Sequence, residues 1–527
     1  MHEVTNAYKE GIYAPIRKCV GRVTFDISDL TANTDISSID TSTEFTLSNK
    51  QQIIDKVRSQ QYKLATNEIN RFKLDGSFIF ADDTVSNNGE MGYCSSEMCG
   101  EDRVFKNYPT ITFKFNNIHS CAGITITWDV LENEYAKEYT VTAYNSNDEI
   151  IDTVNITDNN QVQSIPMGQL YKFTKLVITV KKWSKPYRMA RVCQVDFGLV
   201  KIYEDSGLMS MSLVEELDLT SGQLPLPQFK FTVDNLDKLF NILNPTGIYK
   251  YLQKRQQVIG EIGLCLDDKF EYIKLGEYML NDWSSDEGSI TATFTAGTKL
   301  DLMANVEYEN LTAKSNYSLY DMATELFLLC GVGNYTIDSS LQSVPTLGLI
   351  KKTNCKNILQ MICIAAKCNL FVTRDNVITI KPCPTTLENP VDNIDMDNMF
   401  TVPKIKLDDV IKSVEVTYFS DMNTRYTVTV NDPIVDIGSV LKVENNTLIN
   451  TETQATEVAT WILNQRKYRA IYSADWRGNM ALEPMDIVKI EDGFKQNNNA
   501  ILTKINLEYA GYLKGKAELR GVTSIVD

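Results

Sequence analysis

Three cysteines and a histidine lie within one short stretch of the chain and could together bind a metal ion. Tyr93–Cys121 contains Cys94, Cys99, His119 and Cys121, and His119 is one of only 2 histidines among 527 residues. Their spacing, C-x4-C-x19-H-x-C, lacks the C-x2-C pair that brings two thiolates onto one zinc ion. We therefore predict ordinary core and loop thiols, with a zinc site or a Cys94–Cys99 disulfide as the alternatives.

Nucleophilic catalysis has few possible bases in this sequence. Only His2 and His119 could act as a base with a pKa near neutrality. His119 and Cys121 are two residues apart, so on one strand their side chains point the same way, without a third group to orient them. The motifs GxxxxGK[ST], GxGxxG and HExxH are absent from the sequence. We assign no catalytic residue and no cofactor, and we predict that the chain is not an enzyme.

Acidic residues are numerous enough to supply the carboxylate pair of a glycosidase. Asp129, Glu132 and Glu134 follow a predicted strand, and Asp82 and Asp83 lie in a predicted loop. The chain contains 68 Asp and Glu residues, so abundance alone accounts for such groupings. A wall-degrading enzyme stays open as an alternative function.

The elements that must position these residues are mostly strands. Period-two alternation and β-branched or aromatic residues predict strands in seven places, namely Gly21–Ile27, Thr110–Phe115, Gly123–Trp128, Tyr139–Tyr144, Lys175–Val180, Ser289–Thr295 and Val414–Tyr418. Two of these strands flank His119. A mainly β fold follows.

Three short helices are also predicted, each with an apolar stripe that packs on a sheet. Ser318 caps the first, with Asp321 at its third position, and Thr353 or Asn354 caps the second. The third follows Thr453. After the second helix, NLFVTRDNVITIKPC predicts a β-hairpin that turns at residues 374–376.

The composition limits the possible functions. A formal charge of −16 argues against a nucleic-acid or anionic-membrane partner, because both require clustered Lys and Arg. The N-terminus has no signal-peptide pattern, and no window approaches the roughly 18 apolar residues of a membrane span, so we expect no membrane anchor. The 11 cysteines are spread over all regions, which is typical of free thiols in a reducing cytoplasm.

The block from Ser48 to Leu199 contains YKLATNEINRFKLDGSFIF, PTITFKFNNIHSCAGITITWD, EYTVTAYNSNDEIIDTV and LVITVKKWSKPYRMARVCQVDFG. This succession resembles a galactose-binding-like (discoidin-type) jelly roll of the variant found inside phage structural proteins. The resemblance implies that NNIHSCA connects two strands, with His119 at the rim. Cys94 and Cys99 are then expected in the preceding long loop.

Jelly rolls bind glycans through loop aromatics that stack on sugar faces beside charged hydrogen-bonding groups. The resemblance therefore makes Trp183, Tyr187 and Arg188 the first ligand-binding candidates, and Trp128 and Asp129 the second. Two alternatives remain open. The aromatic residues of KKWSKPYRMAR could close the end of the barrel, and the block could contact a neighbouring tail protein.

The chain on either side of this block carries an ordered series of segments. YAPIRKCVGRVTFDISD precedes it, and SLVEELDLTSGQLPLPQFKFTVDNLDKLFN, LGEYML and TFTAGTKLDLM follow. Further along come SLYDMATELFLLCGV, TNCKNILQMICIAAKCNLFVTRDNVITIKP and PMDIVKIEDGFKQNNNAILTKINLEYAGYLKGKAELRG. In this order they resemble the tail-hub or baseplate-hub proteins of phages and phage-derived tails (tailocins), the tail-associated protein N-terminal family.

Proteins of that family are structural, and three subunits form a ring from two β-barrel domains each. The ring matches a sixfold tail tube on one side and a threefold tip on the other. The resemblance implies a homotrimer whose partners are the tail tube, distal tail or baseplate proteins and a tip or spike protein. DNA would pass through the lumen without specific binding, consistent with the acidic composition. Because the chain stops at Asp527, just after its last predicted strand, we do not expect cell-wall cleavage.

Together these observations predict a mainly β protein with α+β elements and four domains. They are a discontinuous first hub β-barrel (1–47 plus 200–304), an inserted jelly roll (48–199), a small α/β domain (305–402) and a second hub β-barrel (403–527). The predicted function is a tail-tip hub with an accessory carbohydrate- or protein-binding domain, assembled in the bacterial cytoplasm into a particle tail. A carbohydrate-binding surface adhesin is the alternative from another class.

Overall fold

A computed structural model describes most of the chain, namely residues 1–28, 30–56, 63–80, 92–121, 123–167, 170–204, 207–241, 243–244, 256–266, 269–285 and 288–522. Strands far outnumber helices among these residues, so the predicted mainly β class with α+β elements is confirmed. No described helix is both long and apolar enough to cross a membrane.

The chain forms two compact units. The inserted unit comprises Phe25–Lys201. The second unit contains Met1–Thr24 and most of the chain after Ile202, and it is called the hub unit because the segments of the two predicted hub domains fall in it. The chain passes between the units within β1 (Cys19–Ser28) and again within β12 (Gly198–Glu204), which are neighbours in one sheet.

The inserted unit is a sandwich of short sheets. Its elements are α2 (Leu30–Thr34), β2 (Ile36–Thr41), a 3-10 turn (Lys50–Ile54), β3 (Tyr93–Met98), β4 (Thr110–Cys121), β5 (Ile124–Thr127), β6 (Ala136–Tyr144), β7 (Ile150–Ile156), β8 (Gln163–Met167), β9 (Leu170–Trp183), β10 (Met189–Val192) and β11 (Gln194–Asp196). The main sheet has the order β2-β4-β9-β6-β7. The strands β11-β5-β8 form a second sheet, and β10-β3 form a third.

Buried and more exposed residues alternate along the strands of the inserted unit, and the buried ones form its core. In β4, Ile111, Phe113 and Phe115 are buried while Thr112 and Lys114 between them are more exposed, as expected of a strand with one face inward. Strand β2 pairs antiparallel with β4, from Ile36 opposite Phe115 to Thr41 opposite Ile111. Residues 36–41, which fall in the predicted first hub domain and in a predicted linker, therefore lie in the sheet of the inserted unit.

The hub unit is built around a sheet of 13 strands. The elements before its central region are α1 (Asn6–Gly11), β13 (Leu208–Glu216), β14 (Gln228–Asp234), β15 (Gln257–Leu266), β16 (Lys269–Ser284), β17 (Thr291–Gly297) and α3 (Lys299–Met303). Those after it are β23 (Asp392–Ile394), β24 (Lys404–Leu407), β28 (Ala470–Trp476), β29 (Ile487–Glu491), β30 (Asn497–Tyr509) and β31 (Leu513–Gly521).

This large sheet joins the strands of both predicted hub barrels. Its order is β12-β1-β15-β16-β17-β14-β13-β30-β31-β28-β24, with β29 and β23 attached at β30. The join is the antiparallel pair β13–β30, in which Leu213 lies opposite Leu507. Among the described residues these pairings run as one path, in which the strands assigned to the two expected barrels form the two halves of a single sheet.

The central region of the hub unit is an α/β layer. Its elements are β18 (Glu307–Asn310), α4 (Leu319–Leu329), β19 (Tyr335–Ile337), a 3-10 turn (Ser339–Ser343), β20 (Ile350–Asn354), α5 (Cys355–Ala366), β21 (Cys368–Val372), β22 (Ile378–Pro382), β25 (Ile411–Phe419), β26 (Arg425–Asn431), β27 (Ser439–Val443) and α6 (Glu452–Arg466). One core joins α4 and α5 to Val414 of β25 and Val458 of α6, although the last two residues fall in the predicted second hub domain.

The three predicted helices are present, and two begin at the predicted caps. Ser318 and Asp321 form a reciprocal capping box at α4, and the side chain of Asn354 accepts from the backbone of Asn357 at α5. Helix α6 begins two residues earlier than expected, because Thr451 rather than Thr453 provides the cap. The predicted hairpin is also present as the antiparallel pair β21–β22.

Candidate functional site

The three cysteines of the candidate metal set lie apart in the inserted unit. Cys94 is on β3 rather than in a loop, with its sulfur 3.5 Å from the sulfur of Met189. The Cys99 thiol donates to the carbonyl of Lys185 at 3.3 Å. The Cys121 thiol donates to the carbonyl of Gly123 at 3.0 Å.

The chemistry of two of these thiols also disfavours metal binding. Burial raises the pKa of Cys94 to about 11 and also raises the pKa of Cys99. The thiolate is the metal ligand, so a raised pKa opposes binding. No group of three or more possible metal ligands is formed among the described residues, and none of the 11 cysteines, all of which are described, is in a disulfide.

His119 has a carboxylate partner instead. It lies on β4, not in a connection between strands, and its Nε2 is 2.7 Å from Oδ2 of Asp35. The hydrogen bond from His119 lowers the pKa of Asp35. The ring packs against Phe115, with 5.3 Å between centroids. We interpret this pair as an attachment of the α2–β2 connection to the sheet.

The two tryptophans of the predicted ligand site are core residues. Trp128 and Trp183 have no exposed area, and their rings meet edge to face with centroids 6.0 Å apart. Each indole N–H is bonded internally, from Trp128 to Ser164 Oγ at 3.0 Å and from Trp183 to Glu134 Oε2 at 3.0 Å. Neither ring therefore presents a face to a ligand in this conformation.

Asp129 and Arg188 belong to a buried ionic network that lies beside the tryptophans. The network contains three carboxylates and three guanidinium groups, those of Glu68, Asp129, Glu134, Arg71, Arg188 and Arg191. Arg71 comes from the segment 63–80 and donates to Asp129 Oδ2 at 2.7 Å. Arg188 donates from Nε to Glu134 Oε1 at 3.1 Å.

The strongest pair in the network joins the segment 63–80 to β10. Arg191 donates from Nη1 to Glu68 Oε1 at 2.8 Å, and its Nη2 contacts the other oxygen of the same carboxylate. Burial alone would raise the pKa of Glu68, but the hydrogen bond and charge of Arg191 lower it to about 2. The backbone N–H of Met189 also donates to Glu68 Oε1, at 2.8 Å.

Such an arrangement is suited to holding a fold together rather than to catalysis. A general acid needs a pKa raised toward neutrality, whereas the pKa of Glu68 is lowered. The charges of the six residues balance, and each residue is nearly or fully buried. Of the other predicted carboxylates, Glu132 pairs with Lys63 at 2.9 Å, and Asp82 and Asp83 lie outside the described residues.

Tyr187 is the candidate that still has accessible surface. Its side chain is half-buried and its backbone has a φ of 57°, in the left-handed region. The exposed Lys185 lies two residues before it and places its ammonium 3.2 Å from Glu134 Oε1. Lys185 thus extends the buried network outward, and the backbone carbonyl of Tyr187 accepts from Arg188 Nη1 at 3.3 Å.

Three members of this network, Glu68, Arg71 and Arg191, are not predicted from the sequence, whereas Glu134 is predicted only as one of several candidate carboxylates. Arg191 could have been predicted to be buried, because it lies between Ala190 and Val192 in a strand whose residues are all buried. Glu68 and Arg71 could not, because only the tertiary fold brings the segment 63–80 to β10.

No protein-family model matches the sequence, and no curated protein matches it. Solved structures to which the chain is similar include a tail protein from Neisseria meningitidis MC58, with 11% identity, a TM-score of 0.44, and coverage of 60% of this chain and 93% of that chain. A component of the type VI secretion system of E. coli has 8% identity and a TM-score of 0.37, with coverage of 60% and 74%. The resemblance to tail proteins of phages and phage-derived tails that the sequence predicts is confirmed.

A third similarity falls on a much smaller part of the chain. A chitosan-binding module of a chitosanase/glucanase from Paenibacillus sp. IK-5 has 10% identity and a TM-score of 0.21. It covers 32% of this chain and 98% of that chain.

Proposed function

We propose that this protein is the structural hub at the distal end of a phage or phage-like tail, where three copies join the sixfold tube to a threefold tip. The observation that carries the proposal is the single sheet of the hub unit, which contains strands from both the first and the last parts of the chain, joined at β13–β30. Three copies supply six such halves. The ordered segments that resemble tail hubs fall on the elements of this unit.

The inserted unit is the accessory part of this proposal. The chain leaves the large sheet through β1 and returns through the neighbouring strand β12, so the insertion adds a unit without removing a strand. We assign it the binding of a carbohydrate or a neighbouring tail protein. Tyr187 would contact the ligand. Asp129 and Arg188 would support it from the buried network, and Trp128 and Trp183 would support it from the core beside that network.

Deletion of the coding sequence in the source cells tests the structural role. After induction of particle production, we expect tubes without a finished tip, or no tails, and rescue by the full chain supplied in trans. Complete tails in the deletion strain would contradict the hub function.

A binding measurement on the full chain tests the accessory role. Sedimentation with purified cell-wall glycan should lose most binding on Tyr187→Ala and little on Tyr108→Ala, a half-exposed tyrosine elsewhere in the same unit. Equal binding by both variants would exclude Tyr187 from the contact.

A further inference from the structure

The hub unit has a surface cavity whose lining combines an apolar floor with a basic rim. Its volume is about 760 Å³. Met361 and Ile364 of α5 and Ile462 of α6 contribute to the floor. Five cations line it, Lys351, Lys352, Arg425, Lys442 and Arg466, against one lining carboxylate, that of Asp218.

Three of the five cations already have acidic partners. Lys352 lies 2.8 Å from Glu307, Lys442 lies 2.9 Å from Glu415, and Arg466 lies 3.4 Å from Asp408. Lys351 and Arg425 form no ion pair with any part of the chain that the structure describes. The rim therefore has two cations without an ion-pair partner, against the single lining carboxylate of Asp218, on a chain whose net charge is −16.

The loop between β26 and β27 is apolar and acidic, and it is therefore complementary to the apolar floor and basic rim of the cavity. It reads DPIVDIG over residues 432–438, and Ile434 and Ile437 are 88% and 90% exposed. Asp432 and Asp436 accompany these two isoleucines. Two large apolar side chains this exposed, with two carboxylates beside them, are complementary to a cavity with an apolar floor and two cations that have no ion-pair partner.

The loop and the cavity lie at opposite ends of the same three-stranded sheet, β26-β25-β27. At the loop end, Ser413 pairs with Asn431, and at the cavity end Phe419 pairs with Arg425. The length of β26, Arg425–Asn431, separates them, which is roughly 20 Å at about 3.3 Å per residue. A chain therefore cannot place this loop in its own cavity without dismantling the sheet.

We propose that the loop 432–438 of one copy docks into the basic-rimmed cavity of the next copy. This inference rests on the proposed trimeric hub and names a contact that would hold it together. A contact between two different surfaces is heterologous, and it closes into a ring when the rotation between copies permits. A head-to-tail contact of this kind gives each copy one filled cavity and one inserted loop.

Zero-length cross-linking of the full chain tests the contact directly. A carbodiimide should join Asp432 or Asp436 to Lys351, Lys352 or Lys442, and mass spectrometry should find these peptides. Mixing chains of natural and heavy nitrogen content should give cross-linked peptides with one half of each kind. Cross-links formed only within one copy would overturn the proposal.

Sedimentation velocity over a range of concentrations provides the second readout. Ile434→Asp with Ile437→Asp should weaken self-association by about a hundredfold, because two apolar side chains lose their burial. Ile290→Asp is the matched control, since Ile290 is 60% exposed elsewhere in the hub unit. Lys351→Glu with Arg425→Glu should also weaken association, and adding Asp432→Lys with Asp436→Lys should restore part of it.

The outcomes separate this inference from the hub proposal. A trimer that tolerates the loop variants and lacks the cross-link would overturn the docking contact and leave the hub in place. A chain that stays monomeric at every concentration, yet is found at tail tips, would also overturn the docking contact and leave the hub function in place. If purified particles show the loop cross-linked to a different tail protein, the occupant is that protein and the contact between copies is refuted.

Discussion

The guanidinium group of Arg191 is buried between two carboxylates, those of Glu68 and Asp129. Removing one partner of a buried ion pair leaves an uncompensated charge, whereas removing both leaves none. The network therefore contributes more to how the segment 63–80 is placed than to overall stability.

A double-mutant cycle tests this role at the residue scale. Arg191→Met should lower the free energy of unfolding by about 3–5 kcal/mol because Glu68 stays buried and unpaired, and Glu68→Gln added to it should recover part of the loss. Lys114→Met is the control, since the exposed pair Lys114–Asp40 should contribute only about 0–1 kcal/mol. Urea unfolding measures five chains, namely the natural chain, Arg191→Met, Glu68→Gln, the double variant and Lys114→Met. Equal losses for Arg191→Met and Lys114→Met would contradict the network's importance.

The same pair predicts a dependence on pH. The pKa of Glu68 is lowered from 4.5 to about 2, so the unfolded chain binds its proton more readily than the folded chain. The contribution of Glu68 is complete above the unfolded pKa and is lost as pH falls through the folded pKa. Thermal unfolding at pH 5, 4 and 3 should show a steeper loss for the natural chain than for Glu68→Gln. Parallel curves would be inconsistent with the lowered pKa.

Arg374 shows why some residue roles could not be predicted from the sequence. It lies in the predicted hairpin turn, where an exposed side chain is expected, yet it has no exposed area. Its guanidinium pairs with Glu215 at 2.7 Å and donates to three carbonyls, those of Leu275, Met480 and Leu482. These partners are about a hundred residues or more away in the sequence, so no local sequence pattern predicts them.

At the scale of elements, local sequence patterns are sufficient to predict single strands and helices, but they are not sufficient to predict which strands pair. Alternation predicted the strand Thr110–Phe115, although β4 continues to Cys121 and thereby includes His119. The caps of α4 and α5 were readable because capping depends on residues within one turn. The pair β13–β30 could not be predicted, because it joins strands separated by nearly three hundred residues. A single sequence contains no pattern that identifies such distant pairing partners.

The start of α6 gives a test that separates two neighbouring threonines. Thr451 accepts from the backbone N–H of Gln454 at 3.2 Å, whereas Thr453 lies inside the first turn. Thr451→Ala should therefore lower the free energy of unfolding by about 1 kcal/mol, and Thr453→Ala should change it by less than about half of that. Urea unfolding of the two variants checks this, and the reverse order would move the helix start to the position expected from the sequence.

At the scale of the whole molecule, the division into two units implies that the hub folds without the insertion. A Gly/Ser linker of about 15 residues spans roughly 20 Å, enough to join the ends of the neighbouring strands β1 and β12. A chain with this linker in place of residues 29–197 should unfold cooperatively and keep the self-association of the full chain, as measured by circular dichroism and sedimentation. An unfolded or aggregated product would mean that the inserted unit is part of the hub's own core.

Immunogold electron microscopy locates the protein on the particle and so tests whether it occupies the distal end of a tail. An antibody against the inserted unit is applied to particles purified from the source cells after induction with a DNA-damaging agent. We expect gold confined to one end of the tails, at the end away from any head. Tails present but unlabelled, with the protein on cell surfaces or in the medium, would contradict the hub function and favour an adhesin.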